Sequence, residues 1–190
     1  MPHLNVEIKA RCAEPTKIRA ILLAHNARFI GEDHQVDTYF RVESGRLKLR
    51  EGNIENALIF YQRDNQAGPK KSNILLYPSQ PDAALKAVLA AALGILVVVD
   101  KQRAIYFIDN VKFHVDEVQD LGSFVEIEAI AKDGEKTEAE LLEQCRFYMN
   151  LLNIQSVDLL ENSYSDMICA NIELKNIPKK GSSQGAPNMN

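Results

Sequence analysis

Leu4-Asn5-Val6-Glu7-Ile8-Lys9-Ala10-Arg11 alternates without a break, apolar at the even positions and polar or charged at the odd ones. A period of two marks a β-strand and sets Asn5, Glu7, Lys9 and Arg11 on one face. The same one-sided placing of charge recurs downstream. Arg46, Lys48 and Arg50 are interleaved with Leu47 and Leu49, and Lys101 shares a parity with Arg103. Lys112, His114 and Asp116 form a third row, and Glu126 and Glu128 a fourth, with Val125 and Ile127 on the other face.

Around these runs the chain reads as strands with a few helices between them. Pro15 suits the first turn of a helix to about Asn26. Strands are expected at Asp33–Val42, Arg46–Glu51, Ala57–Arg63 and Lys71–Tyr77, separated by turns at Gly45, Gly52 and Gly68-Pro69. Pro81 opens an Ala- and Leu-rich helix that stops at Gly94. Val97–Ile108 and Val111–Gln119 make a hairpin through Asp109-Asn110, and Ser123–Ala131 follows as the last strand. Thr137-Glu138-Ala139-Glu140 is a capping box for a helix to Leu152, and a shorter helix is expected at Asp158–Cys169. Eight strands in hairpin-like order with helices at intervals give an α+β class; that number can close into a barrel, and the pattern also allows an open sheet. Residues 1–178 are expected to form the domain. The Gly-, Ser- and Asn-rich end, 179–190, is expected to be a disordered tail.

Composition narrows the classes of function. The 190 residues carry a net charge of -4, with 46% hydrophobic and 25% charged residues, a balance expected of a globular domain. A nucleic-acid binder more often has a basic excess, so no nucleic acid is expected as partner. The apolar stretch Ala87–Val99 is too short to span a bilayer, and no membrane partner is expected. Three cysteines without close spacing form neither a disulfide framework nor a zinc cluster, which fits a reducing compartment, with the cytoplasm as the expected location. Phosphate loops, dinucleotide fingerprints and nucleophile elbows are absent; Gly68-Pro69-Lys70-Lys71-Ser72 is followed by a strand-like run, not a helix.

Charged rows on strands usually face water. Here the rows contain few of the Ser, Thr and Gln that dilute a solvent face, and the signs segregate. Carboxylates fall mainly on the first and last strands, and cations dominate between them. Turned inward, such faces make a cationic channel with a carboxylate cluster. Many Lys and Arg donors can grip a chain of phosphates. Carboxylates beside that chain need a hard divalent cation between, Mg²⁺ or Mn²⁺, held by oxygen ligands.

The motifs resemble those of the CYTH family, the triphosphate tunnel metalloenzymes, named for class IV adenylyl cyclase and thiamine triphosphatase. The resemblance runs in order through Asn5–Arg11, Asp37-Thr38-Tyr39-Phe40, Arg46–Glu51, Gln66–Ser72, Val97–Arg103, His114–Val118, Leu121–Glu128 and Ser163-Tyr164. It implies an eight-stranded antiparallel closed β-barrel with helices packed outside and a triphosphate along its axis. It implies metal carboxylates at Glu7, Glu126 and Glu128, with Asp116 as a further candidate. It implies phosphate-binding cations at Lys9, Arg11, Lys48, Arg50, Lys101, Arg103 and Lys112, with Arg63 and Lys71 aligned less closely. Tyr39 matches a position that some triphosphatases of the family use near the leaving group, although a buried aromatic at a strand end also has a plain packing role. One position departs from the family pattern: Glu-x-Glu-x-Lys becomes Asn5-Val6-Glu7-Ile8-Lys9, with an amide in place of the first carboxylate.

Three functions follow from this resemblance. Hydrolysis of a triphosphate (ATP, tripolyphosphate or thiamine triphosphate) demands least beyond tunnel, metal and water, and is favoured. Cyclisation of ATP to cyclic AMP and pyrophosphate needs a pocket for adenine and ribose at a tunnel mouth, which the sequence does not display. A non-catalytic triphosphate-binding module is the third. A homodimer is a permitted assembly.

Overall fold

The computed structural model describes residues 3–62, 66, 68–80, 82–131 and 135–176. Among these residues the chain forms eight strands: β1 (His3–Arg11), β2 (Arg28–Phe40), β3 (Arg46–Gly52), β4 (Ala57–Gln62), β5 (Lys70–Pro78), β6 (Ile95–Ile108), β7 (Val111–Val118) and β8 (Gly122–Ala131). Four α-helices accompany them: α1 (Pro15–Ala24), α2 (Ala83–Leu93), α3 (Glu138–Leu151) and α4 (Tyr164–Asn176). The strands close in the order β1-β5-β4-β3-β2-β6-β7-β8, every neighbour antiparallel, so the sheet has no free edge. The α+β class with helices outside a closed barrel is as expected. The expected tail at 179–190 lies outside the described residues. No helix among them is long and apolar enough to cross a membrane.

The main hydrophobic core is outside the barrel. The even positions of β1, Val6, Ile8 and Ala10, join Phe113 and Val115 of β7 and Val125, Ile127 and Ala129 of β8. Onto this outer face α1 lays Ile18 and Leu22, and α3 lays Leu141 and Cys145, all buried. The strand faces that remain, rich in charge, therefore line the interior. Thr137 and Glu140 form the capping box of α3 as read from the sequence.

One helix boundary differs from expectation. The run Asp158–Cys169 is not a single helix: a 3-10 turn at Ser156–Asp158 is followed by an extended break, and α4 begins at Tyr164. A second capping arrangement explains the start. Ser163 Oγ accepts from the Asp166 N–H, and the Ser163 N–H donates to the Asp166 carboxylate. The break has a structural use. Leu159 bridges Ala10 and the Leu160 N–H donates to the Lys9 carbonyl, so the segment runs antiparallel beside the end of β1, past the last residue that β5 pairs.

This places a cap on one end of the tunnel. Antiparallel pairing puts the end of β1, the start of β5 and the start of β8 together, and there Lys70 Nζ donates to the carbonyls of Leu160 and Glu161. Tyr164, buried at the start of α4, packs against Phe124 with ring centroids 5.0 Å apart. The opposite end gathers the start of β1, the end of β5, the start of β4 and the end of β6, with the connection 53–56 beside them.

Candidate functional site

The barrel encloses a cavity of about 450 Å³, lined by residues of every strand and by Ser163 and Tyr164. Six cations line it: Lys9, Lys48, Arg50, Lys101, Arg103 and Lys112. Five carboxylates line it with them, Glu7, Asp37, Glu55, Glu126 and Glu128, and Asp116 stands behind Arg103 as a sixth. Two of these, Asp37 and Glu55, carry no site role in the sequence reading.

Asp37 lies where three cations converge. Lys101 Nζ is 2.7 Å from its carboxylate, Lys48 Nζ 2.8 Å and Arg50 Nε 2.9 Å. Burial alone would raise the Asp37 carboxyl, but Arg50, Lys101 and Lys48 together hold it well below the usual carboxylate range. Burial has the opposite consequence for Lys101. Its ammonium is pulled down to about 7 by desolvation and by the neighbouring Arg50, Arg103 and Lys48, against the attraction of Asp37. Tyr39, the candidate catalytic residue, is buried beside this group, with Lys48 Nζ 5.4 Å from its ring centroid.

Glu55 plays the same part nearer the open end. It ion-pairs with Lys112 and accepts from Arg50 Nη1 at 2.9 Å. Burial would raise its carboxyl, but Lys112 and Arg50 depress it strongly. Its loop is fixed from below: the buried Asp33 carboxylate accepts the N–H groups of Ile54 and Glu55 at 2.9 and 3.0 Å.

The carboxylate cluster sits on the opposite wall. In the ladder Glu7 faces Glu128 and Lys112 faces Glu128; Lys9 and His114 flank Glu126 in the next row. Lys9 Nζ is 2.7 Å from Glu126 and 3.4 Å above the Tyr164 ring. Asp116 is engaged by Arg103, at 2.7 and 2.6 Å, and by the Tyr164 hydroxyl at 2.8 Å. Burial would raise the carboxyls of Asp116 and Glu126, but Arg103 lowers Asp116, and Lys9 and Arg103 lower Glu126 further.

His114, Glu126 and Glu128 bring one ligand atom each to within 4.8 Å of one another, a cluster able to hold a divalent cation. The histidine fits such an ion on two counts. Desolvation, Arg103 and Lys112 lower its pKa against the pull of Glu128 and Glu126, which favours the neutral ring that a metal needs. Its Nδ1 lies 3.1 Å from Glu126 and 3.7 Å from Glu128, so this ring nitrogen faces both carboxylates. The other ring nitrogen, Nε2, is buried without a hydrogen-bond partner among the described residues. Sequence reasoning placed His114 in a charged row without a role. The signal was its parity with Lys112 and Asp116.

The other candidate residues are placed as follows. Lys9, Lys48, Arg50, Lys101, Arg103, Lys112, Glu7, Glu126, Glu128 and Tyr39 share the cavity. Arg11 does not line it; at the last position of β1, paired with Phe124, its side chain is exposed and 5.8 Å from the Phe124 ring. Lys71 pairs with Val6, a register position on the outer face, and Lys70 holds the carbonyls of the cap. Arg63 lies outside the described residues. Asn5 lines the cavity one row beyond Glu7, opposite Ile130 and Ser72, with its Oδ1 buried and without a hydrogen-bond partner among the described residues.

Solved structures with this fold include the PH1012 protein of Pyrococcus horikoshii OT3, with TM-score 0.74 and 21% identity over 85% of this chain and 98% of that one. A candidate adenylate cyclase of Vibrio parahaemolyticus matches with TM-score 0.69 and 17% identity, over 87% of this chain and 97% of that one. HpAC1 of Hippeastrum, a candidate adenylyl cyclase with a dominant triphosphatase activity, matches with TM-score 0.59 and 12% identity, over 88% of this chain and 95% of that one. At these identities the likeness is one of fold. No curated protein matches. Residues 3–164 match the CYTH domain, and with its closed tunnel and acidic cluster the chain belongs to the CYTH family of triphosphate-tunnel proteins.

Proposed function

We propose that this protein is a divalent-metal-dependent triphosphatase, which releases the terminal phosphate of a triphosphate drawn into the tunnel. The observation that carries the reading is the convergence of Lys48, Arg50 and Lys101 on one buried carboxylate, across the cavity from the His114, Glu126 and Glu128 cluster. Three donors that already hold an anion are arranged to hold the oxygens of a phosphate. With one end of the tunnel capped at Tyr164, the chain of phosphates enters by the other, terminal phosphate first.

Glu7, Glu126, Glu128 and Nδ1 of His114 would hold the metal, and the imidazole in this donor set favours Mn²⁺ over Mg²⁺. When bound, the ion offsets charge developing on the phosphoryl oxygens. Lys48, Arg50 and Lys101 orient the terminal phosphate and stabilise the charge it gains in the transition state. Lys9 and Arg103 hold Glu126 in place. Asp116, bound on both oxygens, positions Arg103 and does not itself reach the metal. Tyr39, beside Lys48, is a donor for the leaving oxygen.

Electrostatic balance makes the metal a requirement for substrate as well. With six cations facing six carboxylates, the tunnel alone is no trap for a polyanion. The ion supplies the positive excess. The test is to incubate the protein with ATP, tripolyphosphate and thiamine triphosphate, with Mn²⁺, Mg²⁺ or chelator, and to resolve the products. Orthophosphate that depends on metal is expected. Cyclic AMP and pyrophosphate instead would establish a cyclase, and no product with any of the three a binding module.

A further inference from the structure

The connection between β3 and β4, residues 53–56, is fixed from three sides. Asn56 closes it against Gly52: its Oδ1 accepts from the Gly52 N–H and its Nδ2 donates to the Gly52 carbonyl, both at 2.9 Å. Asp33 anchors it from below, and only a glycine at position 52 leaves room for that carboxylate. A Cβ there would stand 2.8 Å from Asp33 Oδ1 and 2.7 Å from the Glu55 carbonyl. Gln35 Nε2 then donates to Asp33 at 2.7 Å and to Glu55 at 3.2 Å. The product of this fixing is one inward group, the Glu55 carboxylate, held against Lys112 and Arg50.

The two cations depend on Glu55 unequally. Without it, Arg50 keeps Asp37 through Nε at 2.9 Å and Nη2 at 3.1 Å. Lys112 has no other carboxylate partner among the described residues. Yet the residue facing Lys112 across the ladder is Glu128, a member of the acidic cluster, and both side chains line the cavity. Opposite charges facing each other in an antiparallel pair have Cβ atoms about 4.5–5.5 Å apart and pair with one another. Here Lys112 leaves its facing neighbour and reaches across the tunnel mouth to Glu55. We infer, on the reading of His114, Glu126 and Glu128 as the metal site, that Glu55 is a positioning residue for it: Glu55 draws Lys112 off Glu128 and leaves that carboxylate to the ion. Glu128 stands between Glu7 on β1 and Lys112 on β7. The direction in which Lys112 turns therefore decides whether Glu7 and Glu128 face the ion with their full charge. An ammonium seated on Glu128 would compete with the cation for the same oxygens.

Calorimetric titration of the substrate-free protein with Mn²⁺ tests this in a double-mutant cycle and requires no turnover. Glu55→Ala keeps the loop, whose N–H groups Asp33 still holds. It is expected to weaken Mn²⁺ binding about tenfold, the scale of losing a group that orients a metal ligand. Lys112→Met alone should change the affinity by about twofold or less, because Glu55 already holds that charge away. Added to Glu55→Ala, the same Lys112→Met should restore affinity to within about twofold of the wild type. A plain field effect gives another pattern, in which Lys112→Met tightens binding by the same factor in both backgrounds. Additive shifts of that kind, or a double variant as weak as Glu55→Ala, would overturn the inference and leave the metal site standing. If the wild type binds no Mn²⁺, or Glu128→Gln binds it equally well, the metal site and the role of Glu55 fall together.

Discussion

Replacing Asp37 by Asn removes a single negative charge from the point where Lys48, Arg50 and Lys101 meet, and changes almost no volume. All four side chains are buried or nearly so, and the carboxylate itself is 2% exposed. Breaking one partner out of a buried ion group costs about 3–5 kcal/mol, because the remaining charges stay desolvated. For a chain of this size that lowers the melting temperature by roughly 6–20 °C. Triphosphate should reverse the loss, since its oxygens supply the missing anion. Melting curves with and without saturating tripolyphosphate and Mn²⁺ are the assay, and the ligand should raise the melting temperature of Asp37→Asn more than that of the wild type. Acid sharpens the contrast. The folded-state carboxyl is held well below its unfolded value, so its contribution is present above about pH 4 and is lost as pH falls through the folded value. The variant should lack that acid-sensitive component. If Asp37→Asn melts with the wild type, or gains no more from ligand, the cations are not organised around an anion site and the reasoning fails.

Three further outcomes follow from the geometry. Glu126→Gln or Glu128→Gln should abolish metal-dependent turnover with the fold retained by circular dichroism; full activity at low Mn²⁺ would remove both from the metal site. Arg50→Ala should weaken tripolyphosphate binding by about 1.5–3 kcal/mol, the scale of a hydrogen bond to a charged group, whereas Arg11→Ala, on the exposed end of β1, should change it little. Equal losses in a titration would contradict the tunnel. Because Lys101 titrates near 7, a triphosphate bound at pH 8 should draw a proton onto it, and at pH 5.5 it should not. Calorimetry in buffers of different ionisation enthalpy measures that uptake, which Lys101→Gln should eliminate.

The unbroken alternation of Leu4–Arg11 made the two faces of β1 legible, and the charged rows on β3, β6, β7 and β8 followed by the same parity. Which face turns inward was not contained in the period, because alternation of two is symmetric. The unusual choice here, core outside and charge inside, shows in sequence as the scarcity of Ser, Thr and Gln among the charges and as the segregation of their signs. Closure of the barrel followed from the family motifs and not from the pattern. Asp37 was illegible as a site residue since it stands alone in β2, with no charged neighbour of its own parity to form a row except the distant Asp33. Glu55 lies in a connection, where no periodicity operates, and it reaches Arg50 and Lys112 only because Asp33 fixes the loop. Arg11 continued the parity of β1 correctly but stands where the strand passes the cap. The Ser163–Asp166 capping box was readable and marks the true start of α4.

The central claim is that water attacks the terminal phosphorus of a triphosphate inside the tunnel. The most direct measurement is turnover of ATP with Mn²⁺ in ¹⁸O-labelled water, followed by mass analysis of the products. One ¹⁸O in each released orthophosphate and none in the ADP is the predicted result. Unlabelled pyrophosphate released with cyclic AMP, or label carried by AMP, would place the attack at the α-phosphorus and contradict the account.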